Sequence, residues 1–155
     1  MSALAELSYS AALRGLDLQE RSLAELRQRT GTLLAASSLT ASFLGAQTIQ
    51  HTTSLAVLEG LALVALAISI GLATYILLPK TEFVFSVNAI AQYESLFEVI
   101  DDDEEVRRRL IYWLEELWGE NQGKIDELSR YFLGAAVALV LQLVFWTWAL
   151  AANLG

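Results

Sequence analysis

The distribution of charged residues constrains this chain more than any other feature. Residues 30–79 contain a single charged side chain, Glu59, and residues 131–155 contain none. A helix of about 20 apolar residues spans the hydrocarbon core of a bilayer, which is roughly 30 Å thick. The sequence therefore predicts three transmembrane helices, within residues 31–49, 55–78 and 131–153.

A soluble helical bundle is the alternative for segments this apolar. Buried helices of soluble proteins are usually shorter and keep a polar stripe. The second segment has only Ser69, Thr74 and Tyr75 as polar residues after Glu59. Long apolar runs of this kind partition into lipid, which favours the membrane interpretation. The first segment is the least apolar, and it contains Ser37, Ser38, Thr40 and Ser42.

Lysine and arginine residues set the expected orientation. Residues 1–29 contain four arginines, and residues 79–130 contain the other six basic residues. By the positive-inside rule, both of these regions face the cytosol and the C-terminus lies outside. We therefore expect a multi-pass protein of the cell inner membrane.

The same pattern divides the chain into four regions. Residues 1–29 form a cytosolic helical region, and residues 30–78 form a transmembrane hairpin. Residues 79–130 form a second cytosolic helical region, and residues 131–155 form the third transmembrane helix. The expected fold is an all-α membrane protein with amphipathic cytosolic helices.

Local signals predict where the helices begin and end. Gly15 is expected to break or kink the N-terminal helix, and Asp17 with Glu20 is typical of a capping box that opens a new one. Pro79 ends the second span. Asp101–Asp103 opens a longer cytosolic helix, because acidic side chains offset the positive end of the helix dipole.

The segment after Pro79 combines two further patterns. Residues 81–87 are rich in aromatic and β-branched side chains. They fit a short strand or an extended segment along the membrane surface. Asn88 is suited to cap a short helix that ends near residue 100.

Small and hydroxyl residues recur along the expected spans. In the first span Ser38, Ser42 and Gly45 share a face, and in the third Gly134, Ala138 and Gln142 repeat every four residues. Small residues let helices approach closely, so packing explains such stripes. The alternative for the first span is a pore, which forms when subunits place this face around an axis. The pore-lining candidates are Ser38, Ser42, Gly45, Gln47 and Glu59.

Glu59 is placed about one turn inside the second span. A lone carboxylate there either reaches the outer interface or faces a wet cavity. A ring of such residues in an oligomer would favour cations.

The cytosolic helix that starts near residue 101 carries a basic cluster. Neighbouring helical side chains point about 100° apart, so one ligand meets only part of it. The arginines can pair with nearby carboxylates, as in Asp103–Arg107 or Glu105–Arg109. The alternative is an anion site for a nucleotide or oligonucleotide phosphate, assembled from several subunits. The ligand-sensing candidates are Arg107, Arg108 and Arg109.

The same helix carries an apolar stripe with aromatic side chains, and such a face needs a partner. The apolar surface exceeds what one thin chain covers, which favours a homo-oligomer. The candidate subunit or partner contacts are Leu110, Trp113, Leu117 and Trp118.

Composition and motifs exclude several kinds of site. The chain has no cysteine and one histidine, His51, which excludes disulfides, thiolate metal sites and two-histidine metal sites within one chain. It contains no Walker loop, HExxH or GxSxG motif. The net charge of −8 argues against a protein that coats nucleic acid. We expect no enzymatic activity, no metal and no cofactor.

The stretch Leu23-Ala24-Glu25-Leu26-Arg27-Gln28-Arg29-Thr30-Gly31-Thr32-Leu33-Leu34 leads from a cytosolic helix directly into a short membrane hairpin, and long cytosolic helices follow Pro79. Over residues 18–130 this layout resembles the SLATT and Pycsar-type transmembrane effectors of bacterial antiviral defence. The simplest members have the hairpin alone, so the third span is an addition. The resemblance implies a protein that opens or disrupts the inner membrane when a nucleotide signal arrives.

Two functions remain open. The first is an oligomeric inner-membrane channel or pore-forming effector, gated through its cytosolic helices. The resemblance implies a nucleotide or oligonucleotide as its signal in antiphage defence. The alternative is a structural membrane subunit that recruits a cytosolic partner protein through the Trp113 face. The expected partners of either are the lipid bilayer and further copies of the chain.

Overall fold

The computed structural model describes residues 3–49, 56–79, 83 and 103–153. Over these residues it contains three helices and no strand, which confirms the all-helical class for the described part. The helices are α1 (Ala3–Ile49), α2 (Ala56–Leu77) and α3 (Asp103–Asn153). The expected strand or extended segment at 81–87 (apart from Phe83) and the expected short helix at 88–100 lie outside the described residues.

The chain forms two compact units. Unit 1 comprises Met1–Ala24 and Pro79–Asp126, and unit 2 comprises Glu25–Leu78 and Glu127–Gly155. Helices α1 and α3 contribute residues to both units, whereas α2 belongs to unit 2 alone.

The break predicted near Gly15 is wrong, because α1 continues from Ala3 to Ile49. Asp17 lies inside the helix, where its carboxylate accepts a hydrogen bond from Arg21 Nη2 at 3.2 Å. Gly15 instead packs closely against Trp118, since a β-carbon at this position would lie 3.3 Å from Trp118 Cδ1. A single glycine costs a helix only about 1 kcal/mol, which the neighbouring turns and this tertiary contact outweigh.

Two predicted helix ends are confirmed. Helix α2 ends at Leu77, two residues before Pro79, and Leu78 N donates to Thr74 O at 2.9 Å. The described part of α3 begins at Asp103, the third residue of the acidic run 101–105. The local signals were reliable here because proline cannot continue a helix, and carboxylates favour its first turn.

Unit 1 is held by leucine contacts and a polar pair. Leu16 and Leu23 of α1 are buried, as is Leu114 of α3. Gln19 is 4% exposed, and its Nε2 donates to Trp118 O at 2.9 Å and to Gln122 Oε1 at 3.1 Å. The amide therefore ties the two helices together at one defined level.

Unit 2 is packed mainly through small side chains. Helix α3 approaches α2 so closely that a β-carbon on Gly134 would lie 3.2 Å from Leu72 Cδ1. Such close approach is typical of helices that associate in membranes, where van der Waals packing replaces the hydrophobic effect. The buried alanines of this interface are Ala62, Ala65, Ala73, Ala135, Ala138 and Ala149.

Among the described residues, two helices rather than the expected three are long and apolar enough to cross a membrane. They are α2 over Val57–Leu77 and the part of α3 within Arg108–Ala152. The expected span at residues 31–49 is not among them, because serine and threonine dilute this stretch. In both candidate spans only 28% of the most apolar stretch is buried inside the chain. A core helix of a soluble protein would be mostly buried, so these apolar faces require covering from outside.

The glycines of α3 provide a test of this packing. We expect Gly123→Ala to raise the free energy of unfolding by about 0.5–1 kcal/mol, because alanine favours the helix and the new methyl group meets open space. Gly134→Ala should raise the free energy of unfolding by less, since its methyl group crowds Leu72. Unfolding in detergent followed by circular dichroism measures both. A loss of stability for Gly123→Ala would contradict the described surroundings of this residue.

Candidate functional site in unit 2

A buried hydrogen-bonded network joins the three helices of unit 2. Ser37 of α1, Ser69 of α2 and Gln142 of α3 are each 0% exposed. The hydroxyl oxygens of Ser37 and Ser69 lie 3.1 Å apart, and Ser69 Oγ donates to Ala135 O at 3.2 Å. Since a hydroxyl has one proton, Ser37 is the donor to Ser69. Gln142 Nε2 donates to Ser37 O at 3.2 Å and closes the network.

Helical periodicity places these three residues on inward faces. Ser69 continues a buried series with Ala65 and Ala73 at four-residue steps. Gln142 follows Ala138 in the same way, which confirms that this stripe is a packing face. The sequence analysis did not single out Ser37 or Ser69, although the alanines four residues before and after Ser69 mark it as a close-packing position.

In the described part of unit 2, Arg27 Nε of α1 and three further polar atoms are buried without a hydrogen-bond partner. The three are Gln142 Oε1, Trp146 Nε1 and Glu59 Oε1. Trp146 is 4% exposed, and it lies one helical turn after Gln142 on the same face of α3. Buried polar atoms are almost always paired, so each of these three calls for an explanation.

The antiparallel register of α2 and α3 relates Glu59 on α2 to the level of Trp146 on α3. Leu72 opposes Gly134, and the rings of Tyr75 and Tyr131 pack edge to face with centroids 5.0 Å apart. Moving thirteen residues back from Leu72 and thirteen forward from Gly134 pairs Glu59 with residue 147. Counting ten residues from the Ser69–Ala135 hydrogen bond in the same two directions pairs Glu59 with residue 145. Extended over this distance, the register pairs Glu59 with residues 145–147, the level of Trp146.

The predicted pore-lining serines occupy a different surface. Ser38 and Ser42 are exposed, on the side of α1 that does not pack inside unit 2. Their hydroxyls donate to the backbone oxygens of Leu34 at 3.0 Å and Ser38 at 2.9 Å. Glu59 does not share this surface, since it lies on α2 with one carboxylate oxygen buried. The side-chain surroundings of Gly45 and Gln47 lie outside the description.

The exposed surface of α1 in unit 2 carries a stripe of small residues beside two large apolar side chains, Leu39 and Phe43. Ala35, Ser38, Ser42 and Ala46 follow one another at steps of three or four, and all four are exposed. We call these four residues the α1 stripe. Small residues also lie exposed on α2, at Ala67, Gly71 and Thr74, but between large apolar neighbours such as Val64 and Ile68.

Two of the predicted ligand-sensing arginines share one carboxylate. Glu105 Oε2 lies 2.6 Å from Arg108 Nη2, and Glu105 Oε1 lies 3.2 Å from Arg109 Nε. The second contact is the ion pair that the four-residue spacing predicts. The hydrogen bond from Arg109, with a further contribution from Arg108, lowers the pKa of Glu105 despite an opposing effect of partial burial. The side chain of Arg107 lies outside the description.

This cluster gives a measurable expectation. The lowered pKa of Glu105 means that ionised Glu105 stabilises the start of α3 at neutral pH, and that this contribution is lost as the pH falls through the lowered value. We expect Arg109→Gln to raise the pKa of Glu105, measured by carbon-13 NMR of its carboxyl group. Arg21→Gln, which removes the separate pair with Asp17, should leave it unchanged. An unaltered titration in Arg109→Gln would contradict the pairing.

The predicted contact residues lie on α3 in unit 1. Leu110, Trp113 and Leu117 are half-buried, whereas Trp118 is 44% exposed. A groove of about 420 Å³ opens beside Trp118, between the first turns of α1 and this part of α3. Its lining includes Ala12, Gly15, Ile111, Leu114 and Glu115. The amphipathic face is thus only partly covered by α1.

Within the part of the chain that the structure describes, no three histidine, aspartate or glutamate side chains come together as ligands of a metal ion would. Comparisons with protein-family models, with curated proteins and with solved structures found no match to this chain. Function therefore has to be argued from the helices themselves.

Proposed function

We propose that this chain is an integral membrane protein whose unit 2 lies in the bilayer and whose subunits assemble into a channel. The exposed apolar faces of α2 and α3 support the membrane location. Leu63, Val64 and Ile68 of α2 are at least half exposed, as are Leu133, Val137 and Val140 of α3. Lipid covers such faces, whereas water would make them aggregate.

The contacts of α1 with α2 and α3 support a position of α1 in the bilayer as well. Its own sequence is too polar to pass as a span, but Ser37 bonds to Ser69, which lies within the apolar stretch Val57–Leu77. Gln142 binds the backbone of Ser37 from the other side. If α2 crosses the bilayer, α1 therefore enters it as well. With three crossings, the positive-inside rule favours a cytosolic position for the N-terminus and residues 79–130, with the C-terminus outside the inner membrane.

The α1 stripe is the single observation on which the channel depends. It combines exposure with small size and hydroxyl groups, whereas large apolar side chains are exposed on α2, on α3 and beside the stripe at Leu39 and Phe43. In a bilayer, small residues gain most by contact with another helix, because close approach of the backbones strengthens van der Waals packing. Several copies that turn this face to a common axis bury the alanines and line a narrow path with Ser38 and Ser42.

Unit 1 is the proposed gate. A preference of a few kcal/mol for the open or the closed arrangement suffices to switch such an equilibrium. An anionic signal such as a nucleotide would compete with Glu105 for Arg108 and Arg109. This proposal agrees with the resemblance to the antiviral membrane effectors, in which a nucleotide signal triggers damage to the membrane.

Single cysteines test the channel, because the chain has none of its own. Purified protein in planar bilayers should give discrete conductance. A charged thiol reagent should reduce this conductance by more than half in Ser42→Cys. The same treatment of Thr147→Cys should have no effect, since Thr147 is exposed on α3, outside the α1 stripe. Folded oligomer without conductance at any voltage, or a Ser42→Cys protein insensitive to the reagent, would refute the proposal.

A structural subunit that recruits a cytosolic protein is the second candidate. The groove beside Trp118 and the exposure of this tryptophan favour it. Crosslinking in cells with a photoreactive amino acid at Tyr112, which is 67% exposed on the same helix, distinguishes the two. A channel should crosslink mainly to its own copies, and a recruiting subunit to a protein of different mass.

A further inference from the structure

Three of the four unpaired atoms that the structure describes in unit 2 form a matched set, and the fourth, Arg27 Nε, lies on α1. Glu59 Oε1 and Gln142 Oε1 are acceptors, and Trp146 Nε1 is a donor. A polar atom left unpaired in a hydrocarbon layer costs several kcal/mol. A guest that donates two hydrogen bonds and accepts one would satisfy all three atoms, and water is the smallest such molecule.

The geometry points to an internal water site between α2 and α3. Glu59 is level with Trp146 by the register of the two helices, and Gln142 lies one turn away on the face of α3 that carries Trp146. We therefore propose that Glu59, Gln142 and Trp146 bind a water molecule inside unit 2. The water donates a hydrogen bond to each of the two oxygens and accepts one from the indole N–H of Trp146.

This site accounts for a carboxylate in the first turn of an otherwise apolar helix. Isolated acidic groups within spans are rare, and they pair or face water. Water at this position solvates one oxygen of Glu59 and links it to Gln142. Gln142 in turn holds the Ser37–Ser69 network through its amide nitrogen. Polar groups on all three helices of unit 2 thereby join into one hydrogen-bonded system.

The site does not depend on the proposed channel. It is built from residues of one chain, and it would exist in a monomer as well as in an oligomer. Failure of the conductance experiment would therefore leave it standing, and absence of the water would leave the α1 stripe unaffected.

Nitrogen-15 labelling of tryptophan tests the site in the full chain, in lipid nanodiscs. We expect a cross-peak between bound water and the Trp146 indole proton. Trp148 is the matched control, because it lies two residues away in the same helix but is 63% exposed on the outer face. Its indole proton should show cross-peaks to lipid and none to long-lived water.

Two substitutions complete the experiment. Glu59→Leu and Gln142→Leu each remove one acceptor, and each should reduce the Trp146 water cross-peak at least fivefold while leaving the Trp148 signals unchanged. If either variant fails to fold, infrared spectroscopy of the folded Trp146→Phe protein replaces it, and the Glu59 carboxyl band should shift. A Trp146 proton without bound water, a direct Trp146–Glu59 bond, or a cross-peak that persists in both variants would overturn the proposal.

Discussion

Ser69→Leu is expected to destabilise unit 2 by about 3 kcal/mol. Ser69 is 0% exposed, and its hydroxyl lies between Ser37 and the backbone of Ala135. Leucine would lose both hydrogen bonds, worth about 1 kcal/mol each in a membrane bundle. It would also force extra methyl groups into a close-packed crossing, which typically costs about 1–3 kcal/mol. Unfolding in mixed micelles, followed by circular dichroism, measures the loss.

Two further variants separate the causes of this loss. Ser69→Ala removes the hydrogen bonds without adding volume, and it should cost about 1–2 kcal/mol. Ile68→Leu changes the adjacent residue, which is 50% exposed, and should change stability by less than about 0.5 kcal/mol. A Ser69→Leu protein as stable as the parent would show that the three helices do not meet at this residue.

The second large effect is expected at the α1 stripe. The double variant Ala35→Leu, Ser42→Leu should weaken self-association at least tenfold, which corresponds to about 1.4 kcal/mol or more, and should abolish conductance. Both positions are exposed in one chain, so the added side chains fit in the isolated subunit. They separate the backbones only where a second copy approaches. Fluorescence energy transfer between labelled subunits in vesicles measures the association.

The exposed small residues of α2 supply the matched control. Ala67→Leu with Thr74→Leu adds similar volume to α2, again at exposed positions. This variant should associate as the parent does, because its new side chains face lipid beside Val64 and Ile68. Dissociation caused by the α2 variant and not by the α1 variant would place the subunit contact on α2 instead, and would exclude a pore lined by Ser42.

Several structural features were predictable because they depend on local chemistry. The end of α2 before Pro79 and the start of α3 at Asp103 follow from backbone constraints and the helix dipole. The pairing of Glu105 with Arg109 follows from helical spacing. The break near Gly15 was predicted wrongly, since the contact with Trp118 lies far along the sequence and leaves no local signal.

The candidate site was only partly accessible to sequence analysis. Gln142 belonged to a recognised stripe, and Glu59 was conspicuous as the only charge of its segment. That Ser37 faces inward while its neighbour Ser38 faces outward depends on how α1 is rotated against α2 and α3. Two adjacent serines are chemically identical, and only their places in the packed bundle distinguish them.

The sequence alone determined the helical class of the described residues, which follows from the lengths and periodicities of the uncharged runs. It predicted three spans, whereas two of the described helices are long and apolar enough to cross a bilayer. The tertiary structure decided which polar groups meet. Glu59, Gln142 and Ser69 are separated by many residues along the chain, and the antiparallel register of α2 and α3 sets their relative levels. Register arises from the fit of side chains such as Leu72 over Gly134, a long-range contact that periodicity does not encode.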